Sequence, residues 1–464
     1  MFGSAEDIQA SVSGQSKLSF ESLRAKDPQA ELGAREHPKI LTSYGGEYQS
    51  EKLEQMLAPI AGALVTFSND PDRAYDITVL DSPTVNAFAL PGGYLYVTRG
   101  LLALANDESE IAAVLAHEIA HVAANHGIER SRKAKAADLA ERAVNEVVSN
   151  NVAGKVAKAS TARRLSSFSQ AQELQADAIG IKTIGKAGFD PFASARFLVS
   201  MKQFANWRSA LNVNEPDMSS SHPSTPRRLE LARRHARALG PEGSIKGDRE
   251  RFLRGIDGLP FGDSPTEGFV RGNRFSHGKL NITFSVPQTF DLINRANAVL
   301  GSGPGETAIR FDAVAAGGKN DPAGYLASGW VNGLVENSIR AQNINGMKAA
   351  NARALAGDWQ FAITVFALND RYFRFIIAAP RTVKDVDALG TNVAGTFRQM
   401  SGAERAALKP LRIKIITVRS GDTIAKLARK MQGVSRKVEL FKALNELRDG
   451  KRPAVGSKVK LVTG

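Results

Sequence analysis

Apolar residues recur at intervals of three and four along the first half of the chain, which is the spacing of a helix face. This pattern predicts helices over 36–66, over most of 128–180, as a pair within 183–209, and at the end of 218–239. Shorter alternating runs in YDITVLDSPTVNAFALPGGYLYVTRG predict strands joined by Pro- and Gly-containing turns. The first half is therefore expected to be mainly helical with a small sheet.

From about residue 267 an alternation of apolar and polar positions replaces the helical spacing. KLNITFSVP, ETAIRFDAVAA, DWQFAITVFAL and RYFRFIIAA predict at least four strands, whereas TFDLINRANAVL and VKDVDALGTNVAGTF predict helices. These elements indicate a separate α+β domain, which resembles PsbP-like modules. Its aromatic residues at strand spacing are expected to form a core rather than a ligand stack.

Changes in composition mark the domain boundaries. A polar start predicts a flexible arm, a stretch rich in Gly, Pro, Asp and Arg predicts a linker, and a basic unit follows Pro410. The resulting organisation is a flexible arm at 1–35, a first domain at 36–240, a linker at 241–266, an α+β domain at 267–408 and a small domain at 411–464.

The charge of the chain is positive and concentrated at its C-terminal end. There are 61 Lys and Arg residues against 47 Asp and Glu, a net charge of +14. Residues 411–464 contain 14 Lys and Arg against 4 Asp and Glu, so +10 of this charge lies there. Anionic wall polymers or lipid head groups are the expected partners. Nucleic acid is the competing partner, and no aromatic stacking set or recognition-helix motif supports it.

Two absences narrow the class of protein. Without cysteine there can be no disulfide, thiolate metal site or cysteine nucleophile. No apolar run approaches the roughly 18 residues of a membrane span, so no transmembrane helix is expected. The start MFGSAEDIQA lacks a basic end and an apolar core. We therefore expect either a cytoplasmic protein or one that begins after a removed export signal.

The apolar run VLAHEIAHVAANHG contains two histidines and a glutamate that are costly to bury without a partner. Helix residues are about 100° apart, so His117 and His121 share a face and can meet one ion. Glu118 projects to the side, within reach of a water on that ion. This HExxH spacing is typical of a metal site with a general base, although two satisfied core histidines are the alternative. His126, about 140° from His121, is expected to be structural.

A third metal ligand is expected on another element, and SFSQAQELQADAIG offers one. Glu173 can complete a site of two histidines and one glutamate. Asp177, one turn later, can accept a hydrogen bond from a ligating imidazole. Two acidic residues at this spacing are common on helix surfaces, but downstream of an HExxH motif they indicate a metal centre.

AHEIAHV followed by QELQADAIG resembles the HtpX- and BepA-like zinc metallopeptidases over roughly residues 36–240. NAFALPGGYLYVTRGLL and SSHPSTPRR resemble the strand-turn-strand and His-Pro loop of that family. The resemblance implies a gluzincin-type fold with one Zn²⁺ per chain, held by His117, His121 and Glu173. Glu118 would be the general base, and proteins or peptides would be the substrates. Because membrane helices are missing, the soluble periplasmic branch fits best.

The resemblance also implies roles for residues outside the two motifs. His222 and Arg228 would lie near the zinc as catalytic groups that stabilise the oxyanion. In some relatives the matching histidine occupies the open position of the metal; a loop-capping role is the alternative. A peptide substrate would pair with an edge strand, for which an ordinary hairpin is the alternative. The residues of that expected edge strand are Gly93, Tyr94, Leu95 and Tyr96.

The C-terminal unit resembles a LysM module through ITVRSGDTIAKLARKM, ELFKALNEL and VGSKVKLV. That resemblance implies a βααβ fold that binds the N-acetylglucosamine chains of peptidoglycan or chitin. A LysM-like fold docked on the first domain, with only a structural role, is the alternative.

The fold class expected from all these patterns is α+β. It comprises a mainly helical zincin-type protease domain with a small sheet, an α+β middle domain and a small βααβ LysM-like domain. The expected function is zinc endopeptidase activity in protein quality control of a bacterial cell envelope or periplasm. The alternatives are an envelope chaperone or adaptor on an inactive protease fold and, on charge alone, a nucleic-acid binder.

Overall fold

The computed structural model describes residues 30–71, 73, 75–127, 129, 169–210, 218–245, 247–295, 297–447 and 452–464. The chain forms two compact units, one of Met1–Phe261 with Arg412–Thr463 and one of Gly262–Leu411. Most of the expected N-terminal arm and of the helical prediction for 128–180 lies outside the described residues. The mixture of helices and sheets confirms the α+β class.

The first unit is mainly helical, as expected. Hydrogen bonds from local side chains set several helix starts. Asp107 accepts from the Glu110 backbone, Ser169 forms a capping box with Gln172, and Thr225 accepts from the Arg228 backbone. The helices are α1 (Ala30–Ser43), α2 (Glu51–Thr66), α3 (Arg99–Leu104), α4 (Glu108–Ala123), α5 (Gln170–Lys186), α6 (Ala193–Ser209), α7 (Met218–Ser221), α8 (Pro226–Arg237) and α9 (Arg249–Ile256).

A three-stranded sheet of β1 (Asp76–Leu80), β2 (Ala87–Leu90) and β3 (Tyr94–Thr98) lies beside the helices. β3 is its central strand, parallel to β1 and antiparallel to β2. The prediction that Gly93–Tyr96 form an edge strand is therefore wrong. The turn at Gly92 and Gly93 has φ of 84° and 78°, and it folds β2 back onto β3 so that β2 becomes the edge.

The region expected as a linker is partly ordered structure. α9 buries Phe252, Leu253 and Ile256 completely, and β4 (Pro260–Phe261) follows it. A spacing of one and four residues puts these three side chains on one helix face, which overrides the loop-like composition of the stretch.

The second unit contains two antiparallel sheets. The larger has the order β11-β12-β13-β14-β10-β9-β8 and the smaller the order β15-β7-β6-β5. The strands are β5 (Phe269–Arg271), β6 (Arg274–His277), β7 (Ile282–Ser285), β8 (Asp291–Arg295), β9 (Ala298–Ser302), β10 (Ala308–Ala315), β11 (Leu334–Ile344), β12 (Met347–Ala356), β13 (Trp359–Leu368), β14 (Arg371–Pro380) and β15 (Arg398–Gln399). The helices are α10 (Pro322–Leu326), α11 (Val386–Gly395) and α12 (Gly402–Ala407).

Both faces of the larger sheet are covered. Phe366, Phe373 and Phe375 are buried in a core shared with the smaller sheet and α11, whereas Tyr372 lies in a core on the other face with Leu326 of α10. Phe366, Tyr372, Phe373 and Phe375 are thus core residues, as their strand spacing predicts, and Phe361 is partly buried against the second core, whereas Trp359 at the start of β13 is exposed.

The helix predicted over TFDLINRANAVL is wrong, because this stretch forms the hairpin of β8 and β9. Asp291 pairs with Ser302, and β9 in turn pairs with β10. The Asn residues and Gly301 are poor helix formers. The backbone of this stretch instead forms hydrogen bonds with β10 of the larger sheet, which a local helical pattern does not reveal.

The last part of the first unit is a small βααβ fold, as its resemblance implied. It consists of β16 (Leu411–Thr417), α13 (Ile424–Arg429), α14 (Lys437–Leu444) and β17 (Lys458–Thr463). β16 lies between β17 and β4, so the stretch after α9 adds a strand to this sheet. Over the part of the chain that the structure covers, none of the helices is long and apolar enough to cross a membrane.

Candidate active site

The HExxH and ExxxD motifs lie on two packed helices. α4 carries His117, Glu118 and His121, and α5 carries Glu173 and Asp177. The two helices approach closely at Gly180, where a Cβ atom would lie 3.2 Å from the backbone nitrogen of His117. A side chain at this position would push the carboxylates away from the histidines.

Four donor atoms converge between these helices and the loop after α7. His117 Nε2 lies 3.0 Å from His121 Nε2 and 3.2 Å from His222 Nδ1. Glu173 Oε1 lies 2.9 Å from His222 Nδ1 and 3.4 Å from His121 Nε2. All four residues are buried, and one ligand atom from each lies within 4.8 Å of the others.

These separations fit a metal ion. Ligands at about 2.0–2.1 Å from a tetrahedral zinc would be roughly 3.3 Å apart. Three imidazole nitrogens and one carboxylate also suit a divalent transition metal, and without a cation several acceptor atoms would face one another in a buried place. The residues that could hold a metal are His117, His121 and Glu173, and His222 supplies a fourth donor atom.

Asp177 and Arg228 contact His117 and Glu173 and hold these two residues in place. Asp177 Oδ1 lies 3.0 Å from His117 Nδ1, the contact expected of a carboxylate that orients a ligating imidazole. Arg228 donates from Nε and from a terminal nitrogen to Asp177, each at 2.8 Å, and its other terminal nitrogen lies 2.6 Å from Glu173 Oε2. The guanidinium therefore orients two carboxylates, which differs from the expected contact with an oxyanion.

Charge is distributed unevenly over the site. Burial opposes a cation at His117, but Asp177 and Glu173 outweigh it and raise its pKa to about 9. Burial lowers the pKa of His121 to about 3. Burial opposes the charge of Glu173, yet hydrogen bonds with His117, His121 and His222 hold its pKa well below the usual range. The carboxylates thus stay ionised and favour positive charge between the helices.

Glu118 lies beside the donor group without joining it. Its Oε1 is buried and makes no hydrogen bond to any residue that the structure describes, although His222 Nε2 lies 3.6 Å away. Burial raises the pKa of this carboxyl group. An unpaired oxygen and a raised pKa suit a group that accepts and returns a proton near neutral pH.

His126 contacts the site although a continuous helix would carry it away. α4 ends at Ala123, and Asn125 adopts a left-handed φ of 56°, which turns the chain back. His126 Nδ1 then lies 3.0 Å from His121 Nδ1, and its Nε2 lies 3.3 Å from Gln175 Oε1. Sequence reasoning missed this contact; the sign was the asparagine, which tolerates a left-handed backbone better than most residues.

A cleft of about 320 Å³ opens beside Glu118 and His121. β2 forms one wall, and its outer edge has no strand partner among the described residues. The expected substrate strand at Gly93–Tyr96 is buried one strand further in, with Leu95 and Tyr96 fully covered. Ala87–Leu90 therefore replaces it as the edge that an extended peptide could pair with.

Two family models match this chain. Residues 47–236 match Peptidase family M48, and residues 416–462 match the LysM domain. Over 213 residues the chain is 30% identical to the beta-barrel assembly-enhancing protease of Yersinia pestis, covering 44% of this chain and 43% of that protein. It is 30% identical to the mitochondrial metalloendopeptidase OMA1 of Schizosaccharomyces pombe, covering 49% of this chain and 64% of that one. The chain thus spans less than half of the bacterial relative.

A solved structure of cyanobacterial PsbP from Synechocystis covers 30% of this chain and 98% of its own, with 16% identity and a TM-score of 0.24. A TM-score this low does not establish a shared fold, so the PsbP resemblance of the second unit stays a prediction. The two family matches confirm the resemblances drawn from the motifs. The chain therefore carries a Peptidase family M48 domain at residues 47–236 and a LysM domain at residues 416–462.

Proposed function

We propose that this protein is a zinc-dependent endopeptidase that hydrolyses internal peptide bonds of envelope or misfolded proteins. The observation that carries the proposal is the convergence of His117, His121 and Glu173 at metal-ligand spacing, with the unpaired carboxylate oxygen of Glu118 beside them. Metal-assisted hydrolysis needs both parts: ligands that leave a position for water, and a base next to that position.

Each residue of the site has its own proposed role. His117, His121 and Glu173 would hold the zinc, while Asp177 and Arg228 keep the imidazole of His117 and the carboxylate of Glu173 in place. Zinc bound there supplies a Lewis acid that polarises the carbonyl and lowers the pKa of water. Glu118 takes the proton of the attacking water and passes it to the leaving amine nitrogen. Burial, which raises its pKa, makes it a stronger base toward the water.

His222 is proposed to plug the site at rest. Its Nδ1 stands 3.2 Å from His117 Nε2 and 2.9 Å from Glu173 Oε1, in the place of a fourth ligand. Water and the substrate carbonyl need that place, so the loop carrying His222 would have to move before cleavage. After moving, its imidazole could still act near the oxyanion.

We further propose that the protein works in a bacterial cell envelope and that the LysM domain contacts peptidoglycan or another anionic surface. The support is the LysM match and the +10 charge of residues 411–464. The Yersinia pestis relative is named a beta-barrel assembly-enhancing protease, and the Schizosaccharomyces pombe relative is named a mitochondrial metalloendopeptidase.

Zinc content and casein cleavage, measured in parallel, test the proposal. One zinc per chain is expected in the wild type and in Glu118→Gln, with cleavage only in the wild type, and His117→Ala should lose both. Glu230→Gln, on an exposed part of α8, is the matched control and should retain both. If no variant binds zinc after metal loading, the chain is a binding protein on an inactive protease fold.

A further inference from the structure

The cleft beside the proposed catalytic residues has a chemical character of its own. Besides the phenol of Tyr44, the only titratable side chains among the described residues that line it are Glu118, His121 and His222, and these three lie at the catalytic end. The remaining wall comes from the C-terminal end of α1 and the residue after it, from β2 with its flanks, and from the end of α4. Ile40, Tyr44, Phe88, Leu90 and Val122 give this wall its apolar character.

The aromatic part of the wall is held in a fixed position. Phe88 stacks on Tyr96 with ring centroids 4.8 Å apart and tilts against Tyr44 at 5.3 Å. The hydroxyl of Tyr44 accepts a hydrogen bond from Asn86, so its polar tip is already engaged and its ring faces the cleft as apolar surface. Phe88 remains partly exposed at the centre of this arrangement.

The pairing of the sheet decides which substrate side chain meets this wall. Phe88 pairs with Tyr96 and Leu90 with Tyr94, so the side chains of Phe88 and Leu90 share the face that α1 covers. A peptide added to the free edge of β2 would alternate its own side chains between this face and the face toward α4. One side chain close to the cleaved bond would therefore rest against Phe88, Tyr44 and Ile40.

We propose that this cleft is a subsite for one large apolar side chain, aliphatic or aromatic, next to the bond that is cleaved. The inference rests on the proposed endopeptidase function and names its substrate class, which is extended polypeptide with exposed apolar residues. A charged side chain against Phe88, Tyr44 and Ile40 would lose water without meeting an opposite charge on these three residues. Folded proteins hide such segments, so selection for unfolded chains follows from the wall itself.

Mapping of cleavage sites in casein by mass spectrometry is the first test. One position flanking the cut should be enriched in Leu, Ile, Met, Phe or Tyr and depleted in Asp, Glu, Lys and Arg. Cuts without any such preference would overturn the subsite while leaving the endopeptidase proposal standing. A zinc-loaded protein that makes no cuts would instead overturn the proposed function.

Matched peptides and variants give the second test. Two peptides from one mapped site would carry Phe or Ala at the preferred position. Phe88→Ala should lower kcat/KM about 10- to 100-fold for the Phe peptide, mainly through KM, and leave the Ala peptide within about twofold. Ile40→Ala, from α1, should act in the same direction more weakly. Phe67→Ala, an exposed phenylalanine at the end of α2, is the control and should change neither peptide.

Equal losses on both peptides with Phe88→Ala and Ile40→Ala would overturn the subsite, because a general disturbance does not distinguish the two. Zinc content measured on each variant shows that the active site is still assembled. A selective loss confined to the Phe peptide supports the assignment of Phe88 and Ile40 as specificity residues.

Discussion

Helix α4 carries a buried polar cluster at each end, and the two clusters are satisfied in different ways. At its N-terminal end, the Nζ atom of Lys460 from the LysM domain donates to the carbonyl oxygens of Ala103, Leu104 and Ala105 at 2.7–3.0 Å. Toward its C-terminal end, His117 and His121 converge with Glu173 and His222. Both clusters are buried, but in the first a side-chain donor meets the converging acceptors, whereas in the second ligand atoms of four residues converge on one place.

The cluster around Lys460 is built by several elements. Arg196 of α6 contacts Asp107 and Asp190 and lies 3.6 Å from Glu446 of the LysM domain. Asn445 holds the backbone of Lys460 by accepting from its nitrogen at 2.7 Å. Such a network fixes how the LysM domain lies on the protease domain, and its removal leaves buried groups without partners.

A structural polar cluster is thus distinguished from a functional one by which groups the protein itself supplies. In the first, Lys460 and Arg196 direct their donors at carbonyl oxygens and carboxylates, so the protein supplies its own donors, even though Glu110 Oε1 makes no hydrogen bond to a described residue. In the second, acceptors face acceptors and Glu118 keeps an unpaired oxygen, so a cation and a water would complete it. Changes in the first cluster should therefore act on stability, and changes in the second on metal and turnover.

Lys460→Met should have the largest effect on stability. It leaves three buried carbonyl oxygens without a donor, so we expect the free energy of unfolding to fall by about 3–5 kcal/mol. Urea unfolding of the metal-free protein measures this. Lys458, on the same strand as Lys460, makes an exposed ion pair with Glu250 of α9. Lys458→Met removes this pair and should cost less than about 1 kcal/mol. Equal losses in both variants would contradict the special role of Lys460.

Asp177→Asn should weaken metal binding by about 10- to 100-fold, because the imidazole of His117 loses the carboxylate that orients it. Competition with a chromophoric chelator measures the affinity. Asp190→Asn, in the Lys460 cluster, is the counterpart and should leave the affinity unchanged. A loss of affinity with Asp190→Asn as large as that with Asp177→Asn would show that the two clusters are not independent.

His222→Ala should raise basal casein cleavage several-fold, since it clears the fourth position beside His117 and Glu173. Initial rates of casein cleavage at saturating zinc, compared between the variant and the wild type, test this prediction. A rate that stays the same or falls argues against plugging and favours a catalytic or structural role for this histidine.

Glu110→Gln should change the pH dependence of stability. Burial, and then the charges of Glu446 and Asp107, raise the pKa of Glu110 from 4.5 to about 8. A carboxyl group with a raised folded-state pKa stabilises the fold at low pH, and this stabilisation is lost as the pH rises from about 4.5 through about 8. The glutamine variant should lose less stability between pH 5 and pH 9. Urea unfolding at both pH values, with chelator present, checks this; identical pH dependence in both proteins would contradict it.

Those pairs of site residues that lie on a single helix could be predicted from the sequence. His117 and His121, and likewise Glu173 and Asp177, are one turn apart, so the geometry of a single helix brings each pair onto one face. The aromatic residues of β14 were placed in the core by alternation alone. The hairpin of β8 and β9 was not, because its strands exist through pairing with β10, which no local pattern reveals.

The sequence alone set the local geometries: the faces of the two motifs, the βααβ unit and its positive charge. The tertiary structure decided what depends on distant segments meeting. It made β2 the free edge, turned Arg228 toward two carboxylates, brought His126 back to His121 and inserted Lys460 beneath the start of α4. The physical reason is that helix and strand periodicity act over a few residues, whereas partners for buried charges and strand edges come from anywhere in the chain.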